Sequence, residues 1–176
     1  MRSLNGGEFV SEIELALSRA GRGYTVKSFM LNAANFGVPQ KRNRLFFVAV
    51  KNDDFTNLND ILEDLFPPQN EFGPGTQNRY NTVWDAIGDL PRIASGESAE
   101  FYDREPDPNS PYQQMMRNGS TTLTNHIAPR HPQSTINRID NTIPGEPMYE
   151  KYKQRIRLAW DILSPTQLAG GIRPQF

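Results

Sequence analysis

The 176-residue chain contains no cysteine. That absence excludes a disulfide-stapled secreted scaffold and a zinc–thiolate centre. No apolar run approaches the roughly 20 residues that span a bilayer, and the N-terminus lacks a signal-peptide core, so the chain reads as cytoplasmic with no membrane partner. No G-x-G-x-x-G follows a strand and no P-loop occurs, so no nucleotide cofactor is expected here by the usual glycine turn. Histidine is scarce. His126 and His131 lack helical spacing and further ligands, and no metal site is read. No G-x-S-x-G supports a Ser-His-Asp triad. Proline is nearly missing from the first 66 residues; thirteen of the fourteen lie beyond them, and this shift sets the expected domain boundary.

The net charge of −1 conceals an uneven distribution. Residues 1–52 carry a balance of +5, residues 53–108 one of −10, and residues 109–176 one of +4. Two basic segments flanking an acidic one leave room for a basic face suited to nucleic acid, with the acidic middle turned away from it.

From Glu8 a helical stripe of Phe9, Ile13, Ala16, Leu17 and Ala20 predicts an amphipathic helix, stopped by Gly21 and Gly23. Tyr24 to Leu31 alternates as a strand. Leu58, Ile61, Leu62 and Leu65 predict a short helix ended by Pro67-Pro68. Residues 67–81 read as a linker rich in Pro, Gly, Asn and Gln. Thr82-Val83-Trp84-Asp85 has capping-box spacing and opens a helix through Ile87, with Trp84 and Ile87 read as core. Residues 92–108 read as an acidic loop. Ser110-Pro111 starts a helix running to about Arg117. Residues 121–138 read as a basic, polar stretch. From Lys151 to Trp160 an extended segment would align Lys151, Lys153, Arg155 and Arg157 on one face. That face is either a basic ribbon or a solvated edge strand.

The densest signal is L-N-A-A-N-F-G-V-P-Q-K-R-N-R-L-F-F-V-A-V, Leu31 to Val50. Asn35, Gly37 and Pro39 supply turn chemistry. Leu45 to Val50 is an apolar run suited to a strand buried on both faces. Arg42 and Arg44 are two apart, so an extended backbone sends both guanidiniums to one side, where they could grip a phosphate or a polar base edge. Helix, strand, loop and strand together read as the tail of an α/β domain.

This stretch closely resembles a conserved motif of the DNA (cytosine-5) methyltransferases. T-V-W-D-A-I-G-D-L-P (82–91) is similar to a phrase of the same family. Thr121–Gly145 and Ser164–Gly171 resemble its target-recognition region. The resemblance implies the C-terminal part of a Rossmann-like, S-adenosylmethionine-dependent methyltransferase sheet (residues 1–66). The linker (67–81) and an irregular, Pro-rich α+β target-recognition domain (82–176) would follow. The parent enzyme would flip cytosine out of duplex DNA, add a cysteine thiolate to ring carbon six and methylate carbon five from S-adenosylmethionine. Its cofactor glycines and Pro-Cys motif would lie upstream, leaving this fragment inactive alone.

Residue by residue, the resemblance puts Arg44 on the carbonyl oxygen of the flipped cytosine. Arg42 would orient the pocket or bind the neighbouring phosphate, and Gln40 would fix the loop. Thr166, Gly170 and Gly171 would track the DNA strand. Arg155, Arg157 and Arg130 are candidate phosphate contacts, and Asn125 and His126 candidate base contacts. A non-catalytic, sequence-specific DNA-binding module is the alternative, and a protein-interaction fragment a blander one. The strand Arg44–Val50, lacking a neighbour, is expected to pair with another copy of the chain or to be covered by a rearranged segment.

Overall fold

The computed structural model describes residues 7–52, 57–102 and 110–166. Helix α1 (Glu8–Ser18) leads into an antiparallel pair, β1 (Tyr24–Asn32) and β2 (Asn43–Lys51), joined through a 3-10 turn at Ala33–Phe36. Helix α2 (Leu58–Leu65) follows. Beyond it come three short helices, α3 (Val83–Ile87), α4 (Pro111–Arg117) and α5 (Gln133–Asn141), set among irregular segments. No helix among the described residues is long and apolar enough to cross a membrane.

The expected helix and two strands at the start of the chain are present, within one or two residues of the predicted ends. Two details differ. In α1 the half-covered positions are Val10, Ile13, Glu14 and Leu17, while Phe9, Ala16 and Ala20 face solvent. In β2 no residue is fully buried, and Phe46 is half exposed. One cause explains both. Among the described residues the sheet has two strands, so it offers too little surface to bury either element completely. The register pairs Lys27 with Val48 and Phe29 with Phe46, which puts all four on one face. There α2 sits: Lys27 Nζ reaches Glu63 at 2.8 Å, and the ring of Phe29 stacks on Phe66 at 5.8 Å. Leu62 is wholly buried.

In α3 the capping box forms as expected, with Thr82 N–H and Oγ–H both donating to Asp85 Oδ2. The same carboxylate takes two parallel bonds from Arg79, at 2.6 and 2.8 Å. The guanidinium beside it holds the Asp85 carboxyl far below the usual carboxylate range, against the opposing effect of burial. The buried positions of this five-residue helix are Val83 and Asp85. Trp84 and Ile87, expected in the core, are about two-fifths exposed. A helix this short has one inward side, and the polar cap occupies it. Trp84 instead meets Trp160 edge to face at 5.3 Å.

Helix α4 starts and ends as predicted. Ser110 caps it by accepting from Gln113 N–H, and Asn118 closes it in the left-handed conformation. Its attachment to α3 is polar: Ser110 Oγ–H donates to the Asp85 carbonyl and Gln113 Nε2 to the Trp84 carbonyl. Helix α5 has no counterpart in the predicted elements. With Ile136 and Ile139 as its only large apolar residues, its sequence carries too weak a stripe to be distinguished from the polar stretch around it.

The extended basic segment expected at Lys151–Trp160 does not form. Residues 145–148 and 155–157 pair as the arms of a hairpin, through Met148 N–H to Arg155 O, Arg157 N–H to Glu146 O and Gly145 N–H to Arg157 O. Residues 149–154 are its tip, so Lys151 and Lys153 sit on a turn and do not line one strand face with the arginines.

Candidate functional site

The site is built on the loop between β1 and β2. Asn32, the last residue of β1, turns its Oδ1 inward to accept from the N–H groups of Ala34 and Arg42. This Asx-type closure binds the two ends of the loop together. The Ala33 N–H donates to the Arg42 carbonyl at 3.0 Å, carrying the strand pairing one position past Asn32–Asn43. Arg42 therefore stands in register at the threshold of β2, two residues before Arg44. The Arg44 guanidinium is exposed, and among the described residues it bonds only the adjacent Asn43 carbonyl, at 2.7 Å. Among the described residues no acidic group pairs with either arginine.

Residues 70–81 clasp the loop from one side. Glu71 and Phe72 N–H groups both donate to the Asn35 carbonyl, Tyr80 Oη–H donates to Asn35 Oδ1, and Asn81 Nδ2 donates to the Gly37 carbonyl. Gly37 has φ +85°, and a Cβ there would lie 2.9 Å from the Phe72 ring. Only glycine satisfies both conditions. The composition that suggested a linker thus includes an ordered clamp.

From the other side the segment Ser164–Thr166 docks on the loop as a short parallel bridge. Lys41 N–H donates to Ser164 O at 2.8 Å, Ser164 N–H to Pro39 O at 3.0 Å, and Thr166 Oγ–H to Lys41 O at 2.7 Å. Residues 125 positions apart in the chain meet immediately beside Arg42. The Thr166 hydroxyl proton is committed to this bond, so its oxygen keeps only acceptor capacity. Gln40 is held by the bridge, and with Val38, Pro39, Val83, Tyr112 and Leu158 it lines a cavity of about 270 Å³ beneath the loop.

The structure thus brings Gln40, Arg42 and Thr166 together, with Arg44 two residues along the strand. The other candidates lie elsewhere. Arg157 donates from Nη1 to the carbonyls of Asp140 and Thr142, so it caps the C-terminus of α5. Arg155 lies on the tyrosines of the hairpin tip. Asn125, His126 and Arg130 belong to a third group, where residues 97–100 pair with residues 123–128. There the His126 imidazole is tied at Nε2 to the Pro91 carbonyl, at 2.9 Å. Facing an acceptor, that nitrogen carries the proton, and the ring is a brace. Asn125 is exposed with φ +60°, and the exposed Arg130 packs along Gly96. Gly170 and Gly171 lie outside the described residues. Sequence reasoning missed Asn32, Tyr80 and Asn81. Of these only Asn32 carried a local signal, an Asn placed before a turn.

The strand end that carries Arg42 and Arg44, locked to a distant loop, stands in a mixed α/β chain with a small sheet. The family model of the C-5 cytosine-specific DNA methylases matches residues 1–164, and the chain belongs to that family. It is 38% identical over 131 residues to the type II methyltransferase M.DdeI of Desulfomicrobium norvegicum, covering 74% of this chain and 29% of that protein. It is 38% identical over 101 residues to the type II methyltransferase M1.HphI of Haemophilus parahaemolyticus, covering 57% and 23%. A plant relative, DNA (cytosine-5)-methyltransferase 1B of Oryza sativa subsp. japonica, is 26% identical over 140 residues, covering 71% and 9%. The matched region is under a third of the length of each of these relatives.

Proposed function

We propose that the chain is the base-holding and DNA-recognising part of a type II DNA (cytosine-5) methyltransferase from a restriction–modification system. In this reading residues 1–66 complete a Rossmann-like catalytic sheet, and residues 82–176 form the target-recognition domain. The docking of Ser164–Thr166 onto Pro39–Lys41 carries the reading, because it fastens a recognition loop to the strand end that presents Arg42 and Arg44.

S-adenosylmethionine is the methyl donor of this family. The described residues do not fit it. Their sheet is one antiparallel pair, with no strand–glycine turn–helix unit to receive a cofactor at a helix N-terminus. With no cysteine, the chain also has no thiolate to add to the ring. Its own contribution is electrostatic. Arg44 would donate to the carbonyl oxygen of an extrahelical cytosine and stabilise negative charge developing on the ring. Arg42, braced by Asn32, would hold the adjoining phosphate or the pocket wall. Thr166, Gly170 and Gly171 would follow the strand carrying that base, and Gln40 would fix the loop. A second reading is a non-catalytic, sequence-specific DNA-binding module. A Pro-Cys motif upstream in the parent reading frame would decide against it.

The test is binding by the chain to two duplexes that differ in one cytosine, paired in one and unpaired in the other. Extrusion of an unpaired base costs less, by a few kcal/mol, so the unpaired duplex is expected to bind at least tenfold tighter. Equal affinity would reject the base-holding role.

Neither outer edge of the β1–β2 pair is occupied among the described residues. We further propose that two copies of this chain, apart from the rest of the sheet it would complete, join through these edges. Sedimentation is expected to show a dimer at micromolar concentration, and a monomer would refute the pairing.

A further inference from the structure

Two arginines in this molecule show what a structural guanidinium looks like. Arg117 is buried, paired to Asp89 at 2.6 Å and stacked on Tyr102. Arg157 spends its donors on two backbone carbonyls. Arg138 and Arg155 differ from both. Arg138, in the last turn of α5, lies 4.7 Å from the ring centroid of Tyr149. Arg155, at the base of the hairpin tip, lies 4.8 Å from Tyr152 and 5.9 Å from Tyr149. The two rings meet edge to face at 6.4 Å. Glu150 borders the same 420 Å³ cavity as Arg138, yet no acidic group pairs with either guanidinium among the described residues.

Stacking on an aromatic face fixes a guanidinium plane without using its N–H groups. Arg138 and Arg155 each lie against a tyrosine ring, and among the described residues no hydrogen bond or ion pair engages their guanidinium N–H groups. A phosphate can be met by a flexible lysine as well as by an arginine fork, and Lys151 and Lys153 stand exposed on the tip. An oriented fork matches two acceptors side by side, the pattern that guanine O6 and N7 present in the major groove. The hairpin is also tied to the base-holding site. Its second arm runs on through Trp160 and Ile162, whose carbonyls accept from Trp84 and Val83 N–H, to Ser164 on the motif loop. Nine steps along the chain lead from Arg155 to Ser164, a reach of at most ~32 Å, shorter than one turn of B-DNA.

We infer that Arg138 and Arg155 are specificity-determining residues that read guanine edges in duplex DNA within one helical turn of the target cytosine. The inference rests on the DNA-methylase reading above. In the test, the chain is equilibrated with a duplex library carrying a randomised window, and the bound fraction is sequenced. Salt titrations on the enriched and starting duplexes follow. Wild type is expected to enrich guanine at one or more positions. Arg138→Lys and Arg155→Lys keep the charge but lose the fork, and each is expected to reduce preference at its guanine roughly tenfold. Affinity for unselected duplex and the salt slope should stay nearly constant. Tyr149→Phe retains the ring and should retain the enrichment. Guanine preference that survives both lysine variants overturns the inference. So does a loss of affinity in Arg138→Gln and Arg155→Gln that is uniform across sequences, with a salt slope smaller by about one, which is the signature of a phosphate contact. Wild-type binding without sequence preference overturns this inference alone. No duplex binding at all overturns the proposed function, and this inference with it.

Discussion

Replacing Arg117 with methionine is expected to cost about 3–5 kcal/mol of folding stability, well above the cost of an ordinary surface substitution. The side chains of Arg117 and Asp89 are each 7% exposed, and Arg117 Nε meets Asp89 Oδ2 at 2.6 Å. Arg117 also covers Tyr102, its ring centroid 3.7 Å from the guanidinium carbon. Methionine fills much of the same volume but leaves the Asp89 carboxylate buried without its partner. A domain is stable by only about 5–15 kcal/mol, so the loss would remove a large part of the total. Among the described residues the buried apolar ones that could offset it are few: Ala34, Leu62, Val83 and Met148. The midpoint of urea unfolding measures the effect. A companion Asp89→Leu/Arg117→Met variant should recover most of the loss, because it removes both charges together. A single-variant cost below about 1 kcal/mol would show that the pair is hydrated and dispensable.

Gly73→Ala is expected to cost about 3 kcal/mol and to act on the site as well as on stability. Gly73 has φ +98°, and a Cβ there would run into the ring of Tyr80. That ring cannot retreat freely, because its hydroxyl donates to Asn35 in the motif loop. Displacing it should loosen the clamp formed by Glu71, Phe72, Tyr80 and Asn81. Hydrogen exchange provides the local readout. The amides of Glu71 and Phe72, which donate to the Asn35 carbonyl, should lose protection, while those in the β1–β2 ladder keep theirs. Unchanged protection at Glu71 and Phe72 would mean that the clamp does not depend on Tyr80.

Elements made by local chemistry were legible in the sequence. The capping box at Thr82, the Ser110-Pro111 helix start and the strand pair on either side of the motif loop each follow from neighbouring residues. Arg42 and Arg44 were singled out by their spacing and the motif around them; Arg44 lies in β2 and Arg42 just before it. What could not be read depends on distant contacts. Nothing local to Tyr80 or Asn81 announces that they grip a loop 44 or 45 residues earlier. Nothing near Arg157 announces that its donors face the end of α5. The four-cation ribbon failed because alternation in a sequence does not exclude a turn. Nothing local to Tyr149 or Tyr152 announces Arg138 or Arg155; the hairpin sets them together.

Arg44, presented by a strand locked to the Ser164–Thr166 loop, is the group proposed to hold an extrahelical cytosine. Anisotropy titrations of Arg44→Ala against the paired and unpaired duplexes test that role most directly. One charge-assisted hydrogen bond is worth about 1.5–3 kcal/mol, so the variant should lose roughly 10- to 100-fold in affinity for the unpaired duplex while binding the paired one almost as before. If Arg44→Ala keeps the full preference for the unpaired cytosine, the guanidinium does not hold the base and the proposed function is wrong.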